Sequence, residues 1–411
     1  MKREDIENAV EQLDDDIIAE TYKVRSTRTP KKLDWKRWTA AAACAVLLLG
    51  AGIWAVAGLH DKPDASLPMI ELTENAYSSF GFEGYMAYDI SELVTGNPWS
   101  ERSSPDKLPV YKNPNTLNRN TMQPENGDFA TMQALALDIA GRLGIDEAAL
   151  ELTDDAPDEE TRAKLEEKMA EAGVSVSEED FAPTKVEALA DGVRITVEPT
   201  LTATVVFDPA IELPGEYNFS HYASYEENCA TAEYLQDKYA ALIGIDRAVV
   251  NVTGGDYNIY RDRMFCISFY EGGRSLSVTE RIINFNFRSI DFLCNDESKL
   301  FLVRFHGRNL TEKLGDYPII SVKDAKKLLL DGHYVTNAPY EFPGEKYVAK
   351  VELVYRTGKG DQYFLPYYRF YVELPEMEDE DGLKDYGAYY VPAIEGRYIE
   401  NMPLWDGSFN S

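Results

Sequence analysis

The densest chemistry in this 411-residue sequence lies in Tyr363-Phe364-Leu365-Pro366-Tyr367-Tyr368-Arg369-Phe370-Tyr371. Aromatic rings surround a single guanidinium. In an extended strand they fall on both faces. One face can then be core while the other stacks on a peptide or a glycan. The competing expectation is that a helix or the N-terminal segment covers that second face. Tyr363, Tyr367, Tyr368 and Arg369 are the candidate ligand-binding residues. Thirteen of the 26 tyrosines lie beyond residue 316, which concentrates this chemistry in the C-terminal part. Pro366 has no N–H for a ladder, which predicts an edge position or a bulge. An open edge can accept a peptide strand.

Other chemistry is sparse. The chain has no G-x-S-x-G, H-E-x-x-H or P-loop, and no G-x-G-x-x-G beside a strand. Its four histidines, His60, His221, His306 and His333, are too far apart in sequence for a metal-ligand motif. No catalytic residue, metal site or cofactor is expected. Glu378-Asp379-Glu380-Asp381-Gly382 has the acids of a calcium loop. With Gly382 at position six, however, Met377 and Ala388 would occupy positions one and twelve, without a ligand oxygen. It reads as a solvated acidic loop. Cys229, Cys266 and Cys294 match no zinc spacing and allow at most one internal bridge.

These residues must be positioned by the rest of the chain. Thr39 to Leu59 holds no charge. As a helix it would extend ~30 Å, the thickness of a bilayer's hydrocarbon core. Lys23, Arg25, Arg28, Lys31, Lys32, Lys36 and Arg37 precede it, whereas Lys62 is the one basic residue between it and Arg102. That asymmetry predicts a cytoplasmic N-terminus and an extracytoplasmic body. Ala55-Val56-Ala57 has the form of a signal-peptidase site, so cleavage is the rival reading. The 38-residue polar head is long for a signal peptide and favours an anchor.

The net charge of -30 belongs to the body, since residues 1–38 carry nine acids and nine bases. Such a surface repels nucleic acid. Within the head, Ile6, Val10, Leu13 and Ile17 recur at helical steps. A lone amphipathic helix cannot bury such a stripe by itself. These four residues are the candidate surface for a cytoplasmic protein partner.

Residues 60–128 form an irregular segment rich in Gly, Pro and Tyr, with strand-like stretches at Tyr85–Leu93 and Leu108–Tyr111. An internal repeat follows at an offset of 100 residues: Ile139-Ala140-Gly141-Arg142-Leu143-Gly144-Ile145-Asp146 aligns with Tyr239-Ala240-Ala241-Leu242-Ile243-Gly244-Ile245-Asp246. Each copy predicts a helix ending at a C-terminal glycine. Strands are expected at Val193–Glu198 and Leu201–Phe207 in the first unit (129–210), which also carries an acidic helix near Asp158–Ala172. In the second unit (211–315) they are expected at Phe265–Tyr270 and Ile282–Phe287. The third unit (316–411) opens with the capping box Ser321-Val322-Lys323-Asp324. Its helix runs to Gly332, and strands are expected at Tyr347–Arg356, Tyr363–Leu374 and Tyr386–Ala393. Helices alternating with antiparallel strands predict an α+β class.

Two resemblances bear on role. Asp5-Ile6-Glu7-Asn8-Ala9, Asp15-Asp16-Ile17-Ile18-Ala19-Glu20, Trp35-Lys36-Arg37-Trp38 and Ala40 to Cys44 together resemble the N-terminal segments of uncharacterised membrane proteins of Gram-positive anaerobes. Their layout is similar to that of single-pass anti-sigma factors, although the zinc-binding H-x3-C-x2-C signature is absent. In the third unit, Ile320-Ser321, Val351-Glu352-Leu353-Val354-Tyr355, Leu365-Pro366-Tyr367-Tyr368-Arg369-Phe370 and Tyr389-Tyr390-Val391-Pro392-Ala393 resemble PepSY-like modules and YycI/YycH-type extracytoplasmic regulators of histidine kinases. A signalling partner, a sigma factor or a sensor kinase, is what these resemblances imply.

The expectation is a single-pass membrane protein, N-terminus inside, with a multi-unit α+β extracytoplasmic region. Its expected role is non-enzymatic: sensory and regulatory. The alternative is a surface-anchored protein that binds peptide or cell-wall glycan.

Overall fold

The structure, a computed structural model, describes residues 67–72, 83–116, 128–171, 175, 181–338, 340–358, 360–379 and 381–407. All its elements belong to the unit Pro68–Ser411. The predicted head and the span at 39–59 lie outside the described residues. Among the described residues no helix is long and apolar enough to cross a membrane.

The elements run in the order β1 (Gly84–Ala87), β2 (Lys107–Lys112), α1 (Phe129–Arg142), β3 (Glu151–Asp154), α2 (Glu159–Glu171), β4 (Val186–Ala190), β5 (Val193–Val197) and β6 (Ala203–Ile211). Next come α3 (Tyr225–Lys238), α4 (Ala240–Ile243), β7 (Ala248–Tyr257), β8 (Arg263–Glu271), α5 (Val278–Phe287), β9 (Ile290–Cys294) and β10 (Leu300–Phe305). The C-terminal part holds β11 (Lys313–Pro318), α6 (Val322–Leu330), β12 (Val335–Thr336), β13 (Val348–Tyr355), β14 (Tyr363–Phe364), β15 (Pro366–Glu373) and β16 (Lys384–Pro392). The class is α+β, with antiparallel pairing throughout the named sheets.

The largest sheet has eight strands in the order β3-β4-β5-β6-β10-β9-β8-β7. It consists of two four-stranded meanders joined through their last strands, with Val205 of β6 opposite Val303 of β10. Each meander is preceded by helix, α1 in one case and α3–α4 in the other. Both aligned glycines adopt left-handed backbone, Gly144 at φ 76° and Gly244 at φ 65°. A side chain there would be strained, which is why the helices end where the repeat places a glycine. Met132, Ala136 and Ile139 of α1 and Ala232 and Leu235 of α3 share one core with Val186, Ile195, Val205, Ile267 and Phe292 from the sheet.

A second sheet runs β1-β16-β15-β13, with β12 also on β16, and a three-stranded sheet runs β11-β2-β14. Ala325 and Leu329 of α6 pack here with Leu353, Tyr368, Phe370, Tyr389 and Val391. This second core also takes α5, through Ile282, Ile283 and Phe287.

Three local expectations need correction. Ile282–Phe287 is helical, not a strand: its I-I-N-F-N-F alternation is overridden by Ser277 and Glu280, which close a full capping box at the start of α5. Tyr363–Leu374 is not one strand. Leu365 divides it, so β14 pairs with β2 and β15 pairs with β13 and β16. Pro366 is therefore not on an edge. It is the first residue of a central strand, another position where the missing N–H is tolerated. Finally, the stretch from Tyr85 is strand only to Ala87, and a capping box at Asp89 and Glu92 turns it into a single 3-10 turn. The acidic loop is also tethered: Arg261, in the β7–β8 turn, pairs with Asp379 at 2.6 Å and Asp381 at 3.2 Å.

Candidate functional site: a charged cleft between two sheets

β15 presents opposite chemistry on its two faces. Tyr368 and Phe370 point into the second core, where Tyr368 donates to the Ile320 carbonyl at 2.7 Å and meets the Trp99 ring edge-on. Tyr367, Arg369 and Tyr371 alternate with them and lie on the other face. Of the candidate ligand residues, Tyr367 and Arg369 thus share a face and Tyr368 does not. Tyr363 lies on another sheet, opposite Lys112 of β2. Ile6, Val10, Leu13 and Ile17 lie outside the described residues.

The Arg369 face holds a dense polar network. Arg369 donates to Glu352 at 2.8 Å and to the Tyr85 hydroxyl at 3.3 Å. Glu352 also accepts from Tyr371 at 3.1 Å and from Thr95, and Lys350 lies 3.0 Å away. Burial alone would raise the Glu352 pKa. Arg369, Thr95 and Lys350 outweigh it and hold the carboxyl below its usual range. Glu83 accepts from Tyr390 at 2.6 Å and from Tyr85 at 2.9 Å. The N-terminal segment crosses this face: Asn97 donates to the Leu353 carbonyl at 3.0 Å.

Beside this network a cleft of about 570 Å³ opens between the eight-stranded and five-stranded sheets. Its volume lies in the range of small-ligand sites. Val94 and Gly254 close one side by exchanging two N–H···O bonds of 2.8 Å each. The eight-stranded wall carries a polar row across three strands, Asn251, Ser268 and Asp291, in pairing register. Asn251 donates to the Ser268 hydroxyl at 3.0 Å, and that hydroxyl donates to the Asn251 carbonyl at 3.1 Å. Asp291 is engaged by His306 at 2.5 Å. The Ser268 hydroxyl thus lies within a closed pair and has no hydrogen bond to the His306 ring, so this wall holds polar groups without a paired nucleophile and base.

Two charges in the cleft stand apart from this pairing. Arg356, just past β13, is held between rings, its guanidinium carbon 5.6 Å from the Tyr367 centroid and 5.5 Å from that of Tyr390. Asp361 balances its charge through space. Among the described residues, however, the guanidinium makes no hydrogen bond or ion pair. Asp256, on β7 in the opposite wall, likewise has no hydrogen bond or ion pair to another described residue. Burial raises its carboxyl pKa. Neither residue carries a local sequence signal. They are 100 positions apart and meet only because the sheets do. Among the described residues no three His, Cys, Asp or Glu side chains converge on a metal position.

A second, smaller groove of about 440 Å³ is aromatic. Tyr222, Tyr225, Tyr257 and Phe265 line it with Arg261 and Arg263, and Tyr222 is 66 % exposed.

No protein-family model matches the chain, and no curated protein matches it. Among solved structures it is similar to an uncharacterized protein from Eubacterium rectale. The TM-score is 0.31 at 11 % identity, covering 71 % of this chain and 85 % of the other.

Proposed function

We propose that this chain is a membrane-anchored, non-enzymatic sensory or regulatory protein whose extracytoplasmic body binds a small ligand and whose head contacts a sigma factor or sensor kinase. The observation that carries the reading is the cleft. It is large enough for a ligand, lies between two sheets, and is lined by Arg356 and Asp256, which make no hydrogen bond or ion pair to another side chain among the described residues. The apolar stripe Ile6, Val10, Leu13 and Ile17 and the resemblance of the third unit to extracytoplasmic kinase regulators support the signalling half. The aromatic groove around Tyr222 and Tyr225 favours a second reading, a surface-anchored protein that stacks on peptide or cell-wall glycan.

A head exchange separates the two. Residues 1–38 are replaced by an unrelated segment of equal basic charge, and transcript profiles are compared in the native host under envelope stress. The sensory reading predicts that the response is lost while the protein remains in the membrane. An unchanged profile would leave the surface-binding reading standing instead.

A further inference from the structure

We infer that the cleft takes a zwitterionic ligand of peptide character, its carboxylate on Arg356 and its ammonium near Asp256. This rests on the ligand-binding reading above and names the ligand class. Arg369, Lys350, Glu352 and Glu83 line or flank the same cleft, and each is tied to a partner. Among the described residues Arg356 and Asp256 are the exceptions, with no hydrogen bond or ion pair to another side chain. They have opposite sign, lie on opposite walls, and are both half-buried. Half-buried charged groups without hydrogen-bond partners are costly, and a ligand that supplies those hydrogen bonds recovers that cost on binding, even though Asp361 already balances the Arg356 charge through space.

The arrangement selects among ligands. A guanidinium fixed between two tyrosine rings keeps its N–H fork free for a planar, bidentate acceptor, which a carboxylate is. A free amine is the matching donor for the Asp256 carboxylate. The lining also offers the Asn337 amide and the Thr253 hydroxyl. Amide and hydroxyl groups of this kind suit a peptide backbone, which donates and accepts in alternation. A neutral saccharide would leave both charges unsatisfied. A dianion would satisfy Arg356 but oppose Asp256, Asp291 and Asp361.

The test uses the full-length chain in detergent and reads thermal unfolding. The probes are a mixed-sequence tripeptide pool with free termini, the same pool N-acetylated, the same pool C-amidated, and a pool of neutral cell-wall disaccharides. The free pool in large excess is expected to raise the midpoint by on the order of 5 °C. Acetylation and amidation are each expected to reduce apparent affinity at least tenfold. Arg356→Met should abolish the preference for free over amidated pool and keep the preference over acetylated pool. Asp256→Asn should do the reverse. Arg356→Lys, which keeps the charge, serves if the methionine variant does not fold, and should keep part of the carboxylate preference.

Equal shifts from all three peptide pools would overturn the assignment, as would variants that weaken every pool alike. A shift from the disaccharides alone would overturn the zwitterion and leave the ligand-binding reading intact. No shift from any pool would remove both.

Discussion

Arg369 and Glu352 form a 2.8 Å ion pair across β15 and β13, with side chains only 17 % and 5 % exposed. The pair sits at the root of the cleft and fixes the face from which Tyr371 and Tyr85 project. Breaking one side of such a buried pair costs far more than removing both, because it strands a charge. Arg369→Met should therefore destabilise the protein by about 3–5 kcal/mol. The double variant with Glu352→Gln should recover part of the loss. Urea unfolding of the four chains in a double-mutant cycle measures it.

The same pair sets a pH dependence. Glu352 has a folded pKa below its unfolded value, so as pH falls the unfolded chain takes up the proton first. Its contribution is full well above the unfolded pKa, about 4.3 for a glutamate, and is lost as pH falls through the lower folded value. The acid limb of stability against pH should be steeper in the native chain than in Glu352→Gln. Equal slopes would show that the pair carries no linkage.

Helix α5 depends on both its cap and its anchor. Ser277→Ala removes the acceptor for the Glu280 N–H and should cost about 1 kcal/mol. Phe287→Ala empties a site packed on Tyr355 and Phe364 and should cost about 3–5 kcal/mol. Denaturant midpoints at unchanged slope check both values. If Phe287→Ala behaved like a surface change, the second core would not include α5.

Thiol reactivity should follow the two faces of the eight-stranded sheet. Cys266 is solvent-accessible on the face that carries Ser268, although desolvation and the nearby Asp291 and Asp256 raise its thiol, whereas Cys294 is buried in the first core with its thiol pushed up to about 11. All three cysteines of the body are free. Alkylation of the folded protein followed by peptide mass mapping should label Cys266 before Cys294, which should react only after unfolding.

Much of the fold is legible in the sequence because its signals are local. The Ser321 cap of α6, the paired glycines at 144 and 244, and the acidic helix α2 each need only a few neighbouring residues. What was misread depended on competition or distance. At Ile282 a period-2 pattern competes with a capping box that opens five residues upstream, at Ser277, and the cap prevails. At Leu365 a continuous aromatic run concealed a change of sheet. The cleft could not be read at all: Arg356 and Asp256 are unremarkable in sequence, and only the docking of two sheets leaves them facing one space. The aromatic strand does point to Arg369, which lines that space, and to Tyr367, whose ring packs against Arg356.

The account joins ligand binding outside to partner contact inside, and crosslinking capture from intact membranes tests both at once. The native chain is compared with one carrying Leu13→Asp and Ile17→Asp, and with one carrying Arg356→Met and Asp256→Asn, each with and without the free-termini tripeptide pool. A sigma factor or sensor kinase should be recovered with the native chain and lost with the charged head. Peptide should change that recovery in the native chain and leave it unchanged in the cleft variant. Identical captures from all three chains, with or without peptide, would contradict the account.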